Sequence, residues 1–104
     1  MNSLHEYEAW LTTLDGKLYV KNDWVVSRFG KEDRIHLSEC SSYYAVLRWV
    51  LMLRQSWLGD SAVLPLDYLT ERFVRLVNES NHLNIDANSI KEDIKEVATQ
   101  QGGN

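Results

Sequence analysis

Apolar residues recur along this chain at two different periods, and the changes of period divide it into elements. Leu4, Tyr7, Leu11 and Leu14 follow a three–four spacing with Trp10 beside them, which predicts an amphipathic helix. Ser3 and Glu6 form a capping-box pattern at its start, and Gly16 suits the left-handed position that ends a helix. A competing reading makes Asp15-Gly16 a hairpin turn between Leu11–Leu14 and Lys17–Val20; the spacing and the cap favour the helix. From Lys17 the period is two. Lys17 to Lys21 and Trp24 to Phe29 alternate, and Asn22-Asp23 between them tolerates the positive φ of a tight reversal. Gly30 to Asp33 reads as a polar turn and Arg34 to Leu37 as a short third strand.

The strongest element follows. Ser38 is placed as its N-cap, Glu39 adds a carboxylate to the first turn, and Gly59 closes it. Tyr43 to Leu58 is apolar nearly all round, with Ser41, Arg48 and Gln55 on one narrow stripe, so this segment is expected to be the core helix. Pro65 fits a first helical position, and Leu66, Leu69, Phe73, Leu76 and Val77 then share a face. Asn81 to Asn84 reads as a break. Asp86 caps a last helix, with Ile85 and Ile90 placed as a hydrophobic staple and Ile90, Ile94 and Val97 as its seam. The order is helix, small antiparallel hairpin or meander, then three helices. Segregated strands and helices predict an α+β fold, with residues 1–99 one compact domain and 100–104 a disordered tail.

Composition narrows the class. The 104 residues are 44% hydrophobic and 25% charged, which excludes collagen-like, low-complexity and wholly disordered chains. The net charge of −4 is unevenly placed: residues 1–59 hold seven acids and seven bases, while residues 60–104 hold eight acids and four bases. An acidic field of this kind repels phosphate and steers a basic partner inward. Cys40 is the one cysteine, so no intrachain disulfide forms, and a reducing, cytoplasmic location is expected. The first residues lack a signal-peptide pattern, and Tyr43 to Leu53 falls far short of the ~20 residues that span a bilayer.

Candidate chemistry is sparse. Cys40 lies four residues after His36 near a helix start, the one pair worth testing as nucleophile and base. His5, His36 and His82 are scattered, without metal-ligand spacing. Glu6/Glu8, Glu32/Asp33 and Glu92/Asp93 are sequence neighbours in polar surroundings, and Gly16, Gly30 and Gly59 are isolated rather than phosphate-cradling. The expectation is therefore a chain with no catalytic residue, metal or cofactor.

The aromatic load is the unusual feature: four Trp, five Tyr and two Phe. Trp10, Tyr43, Tyr44, Trp49 and Phe73 fall on predicted core faces. Tyr19, Trp24 and Trp57 are harder to bury together in so small a body, and exposed Trp and Tyr are typical interface anchors. The leading expectation is an inhibitor of the immunity or antitoxin type that occludes a basic protein such as a nuclease toxin. Its contacts would be Glu71, Glu79, Asp86, Glu92, Asp93 and Glu96, with Tyr19, Trp24 and Trp57 as anchors. The alternative is a nucleic-acid-binding regulator using the Lys17–Arg34 hairpin, where Lys17, Lys21, Arg28, Lys31 and Arg34 interleave with Tyr19, Trp24 and Phe29. An accessory subunit of a larger complex, or a homodimer formed through the core helix, would fit the same features.

Overall fold

The computed structural model describes residues 3–59 and 64–102, with side chains for residues 4–59 and 64–97. Helix α1 (Ser3–Asp15) leads into three strands, β1 (Leu18–Lys21), β2 (Trp24–Phe29) and β3 (Lys31–His36). A short 3-10 turn (Leu37–Glu39) then precedes three helices, α2 (Tyr43–Leu58), α3 (Leu66–Asn81) and α4 (Ala87–Gly102). The strands form one antiparallel sheet in the order β1-β2-β3, so the fold is α+β.

Local chemistry explains the strand boundaries. Asn22 (φ 51) and Asp23 (φ 68) both take left-handed backbone, closing a two-residue hairpin between Lys21 and its partner Trp24. Gly30 (φ 72) alone separates Phe29 from Lys31. The polar segment expected as a turn over 30–33 is therefore mostly strand: one glycine reverses the chain, and β3 begins at Lys31.

The sheet has an inner face of Leu18, Val20, Val25, Ser27, Phe29 and Ile35, packed towards the helices. Helix α2 meets it through Val46, Val50, Leu53 and Trp57, which recur at helical spacing along one side and are all buried. Helix α3 adds Leu69, Phe73, Val74 and Val77, and α4 closes the far side of α2 and α3 with Ile90 and Ile94.

Several boundaries depart from the sequence reading. Ser38 does not cap α2. The chain first makes the 3-10 turn, where Cys40 N–H bonds Leu37 O at 3.0 Å, and Ser42 Oγ then accepts the Ala45 N–H at 3.2 Å. Asn81 of α3 fixes this link by donating Nδ2 to Leu37 O (2.8 Å) and Cys40 O (3.0 Å). Gly16 does not adopt positive φ; α1 closes by a bond from Lys17 N–H to Leu14 O. Pro65 is the residue before α3 rather than its first helical position. Helix α4 runs on through Gln100, Gln101 and Gly102, positions expected as tail, because no breaker precedes Gly102; Gly103 and Asn104 lie outside the described residues, as does the Ser3 side chain of the expected capping box. Asp86 does start α4, its carboxylate accepting from Asn88 N–H (3.1 Å) and Ser89 Oγ–H (3.0 Å). Among the described residues, no helix is long and apolar enough to cross a membrane.

Candidate functional site: the outer face of the sheet

Period-two alternation that turns Val25, Ser27 and Phe29 inward turns Trp24, Val26 and Arg28 outward. The register builds two complete rows on that outer face: Tyr19, Val26 and Arg34 in one, Lys21, Trp24 and His36 in the next. Arg28 and Glu32 pair beyond them. Val26 is only 5% exposed although it stands on the outer face and outside the core cluster, with Tyr19, Trp24 and Arg34 around it. Trp24 stays 40% exposed, and Tyr19 is half-buried. Together Tyr19, Lys21, Asn22, Trp24, Val26 and Arg34 line a groove of about 320 Å³.

The groove is held in shape. The His36 ring meets Trp24 edge-on, at a centroid separation of 4.8 Å and an interplanar angle of 89°. His36 Nδ1 accepts the backbone N–H of Ser38 at 3.1 Å, with Ser38 Oγ at 2.7 Å, which puts the neutral ring's proton on Nε2. Glu32 lies between two cations, 2.7 Å from Arg34 Nε and 3.5 Å from Arg28 Nε. It is the single carboxylate on the outer-face positions of the three strands, against Lys21, Arg28 and Arg34. The face is therefore aromatic and cationic within an acidic protein.

Of the expected anchors, the structure joins Tyr19 and Trp24 on this face and removes Trp57 from it. Trp57 is 1% exposed: it continues the Val46, Val50, Leu53 row, and its Nε1–H finds Ser27 Oγ at 2.9 Å beneath the sheet. Trp10 and Tyr44, expected in the core, are instead 38% and 68% exposed. Helix α1 packs mainly through its last turn, where Leu14 is buried, and Tyr44 lies on the opposite side of α2 from the buried row. Lys21 and Arg34 already stand with Tyr19 and Trp24 in the basic hairpin read from the sequence; what that reading lacks is the shielded Val26 among them and the His36 ring against Trp24.

The acidic residues occupy other surfaces. Glu71 pairs with Lys91 at 3.1 Å, Asp86 is engaged at the start of α4, and Asp93 accepts the Tyr43 hydroxyl at 2.5 Å. Glu92 is exposed beside Lys95 (4.0 Å), and Glu79 and Glu96 are exposed on α3 and α4. Tyr43, Asp86, Asn88, Ser89, Glu92 and Asp93 line a shallow depression of about 460 Å³. The linings of this depression and of the Tyr19–Trp24 groove share no residue.

The Cys40–His36 pair is not assembled. Cys40 is fully buried with Sγ directed at the His36 carbonyl (3.9 Å), while the imidazole faces Trp24 and Ser38. Burial, and then the charge of Glu39, push the thiol up to about 11, opposite to what a nucleophile needs. Among the described residues no three His, Cys, Asp or Glu side chains gather as a metal would require. No protein-family model, no curated protein and no solved structure matches this chain.

Proposed function

We propose that this protein acts by docking another protein against the outer face of its sheet. The observation that carries the reading is the grouping of an exposed Trp24, a half-buried Tyr19 and Arg34 around a groove, with Arg28 on the same sheet face. Trp, Tyr and Arg are the residue types that dominate binding energy at protein interfaces. The ring of Trp24 is braced by His36, so little rotamer freedom is lost on binding. Such a role needs no catalytic group.

A second reading keeps the inhibitor of a basic partner, now on α4 alone. Asp86, Glu92 and Asp93 around Tyr43 favour it, with Glu96 one turn further on. This surface would steer a basic protein without the aromatic anchors. Parallel co-purification from the source cell distinguishes the two. A partner retained by the wild type and by Glu92→Lys/Glu96→Lys, and lost from Tyr19→Ala/Trp24→Ala, supports the sheet face. A partner lost only from the α4 variant supports the inhibitor reading instead.

A further inference from the structure

The geometry points to an acidic segment of the partner protein as the occupant of the groove between Tyr19 and Arg34, an inference that rests on the docking-face reading above. Charge complementarity carries it. Lys21 stands on one edge strand and Arg34 on the other, on either side of the Val26 floor. Glu32 is shared between Arg34 and Arg28, and Lys21 makes no ion pair among the described residues. The face therefore keeps an excess of positive charge, although the chain as a whole carries −4. Glu32 engages Arg34 through Nε, which leaves its terminal guanidinium nitrogens for an end-on bidentate carboxylate.

Size selects the ligand further. A groove of about 320 Å³ lies at the small end of ligand clefts, roughly 300–1,000 Å³. It suits one apolar side chain on Val26 between the Tyr19 and Trp24 rings, with a carboxylate on each flank. A single-stranded nucleic acid would instead call for successive open stacking rings along a cationic track. Here there are two rings, and one is half-buried. The occupant is thus a short segment with an apolar residue bracketed by Asp or Glu.

A randomised displayed-peptide library panned on the folded chain, with counter-selection on Trp24→Ala, tests this. Enriched sequences are expected to place Asp or Glu within two residues of an apolar side chain. A synthetic peptide of the winning sequence is expected to bind tenfold or more weakly to Lys21→Glu and to Arg34→Glu, variants whose melting is compared with wild type to confirm folding. Neutral or basic winners that still depend on Trp24 would overturn the acidic-segment inference and leave the docking face standing. Winners that bind Trp24→Ala equally well would overturn both. Tighter Trp24-dependent binding of a twelve-residue oligothymidylate than of any peptide would replace the peptide with nucleic acid.

Discussion

Trp57 Nε1 donates a 2.9 Å hydrogen bond to Ser27 Oγ, joining the last turn of α2 to the middle strand of the sheet inside the core. The indole also meets the Phe29 ring edge-on, at 6.2 Å. A buried indole N–H without an acceptor is costly, so the serine, a residue with little reason to sit in a core strand, makes this packing affordable. Ser27→Ala is expected to destabilise the fold by about 1–3 kcal/mol by orphaning that donor. Trp57→Ala is expected to cost about 3–5 kcal/mol. Trp24→Ala, on the exposed face, is expected to cost under about 1 kcal/mol. Urea unfolding of the three variants checks the ranking; a Trp24 effect as large as that of Trp57 would contradict the assignment of faces.

Cys40 is expected to resist thiol reagents in the folded protein. It is fully buried, and burial with the neighbouring Glu39 charge holds its thiol at about 11. At pH 8 a chromogenic disulfide reagent should label it only as fast as the chain opens, and immediately in denaturant. Rapid native labelling would mean an accessible thiolate and would reopen the nucleophile reading.

Two Tyr–Asp contacts tie distant segments together and share one pH dependence. Tyr43 OH donates to Asp93, and Tyr68 OH donates to Asp15 at 2.6 Å, beside Arg72. Partial burial, then the hydrogen bond and charge of Asp93 and the charge of Asp86, raise the Tyr43 phenol from 10 to about 12. The Asp15 hydrogen bond raises Tyr68 in the same direction. A raised acid favours the neutral form in the fold, so for Tyr43 the stabilisation is complete below pH 10 and disappears as pH climbs towards 12, and Tyr68 contributes with the same sign. Stability measured from pH 8 to 11.5 should fall more steeply in the wild type than in Tyr43→Phe/Tyr68→Phe. Equal slopes would contradict this.

The hairpin turn offers a stabilising substitution. Asp23 holds φ 68, a conformation in which a side chain is strained, and its backbone carbonyl accepts the Leu37 N–H at 2.8 Å. Asp23→Gly keeps that carbonyl, relieves the strain and creates the Asn-Gly pair that such turns favour. A gain of about 0.5–1 kcal/mol is expected, read as a rise of a few degrees in Tm. A lower Tm would argue for a different turn.

Much of this fold is legible in residue order alone. Trp24 to Phe29 alternates as a strand, Asn22-Asp23 turns the chain, and Asp86 starts the last helix; each is a local preference that the packing leaves in place. What escapes local reading is which side of an ambiguous element is covered. Val25 and Val26 are both apolar, and only docking of α2 makes the Val25 side the inner one. Tyr44 and Leu58 resemble core residues in an apolar helix, yet they lie off the row of Val46, Val50, Leu53 and Trp57 and stay exposed. The same row would have assigned Trp57 to the core by its spacing. Tyr19 opposite Leu18 and Val20 was readable from alternation, whereas its neighbourhood with Arg34, two strands away, depended on the β2–β3 register.

The most direct test of the proposed outer sheet face as the working surface is a hydroxyl-radical footprint of this chain alone and in complex with a protein captured in the co-purification described above. Trp10 and Tyr44, exposed elsewhere on the molecule, serve as internal controls. The account predicts that Tyr19 and Trp24 lose reactivity in the complex while Trp10, Tyr44 and Tyr43 keep theirs. Protection confined to Tyr43 at the acidic depression, with Trp24 as reactive as in the free chain, would contradict it.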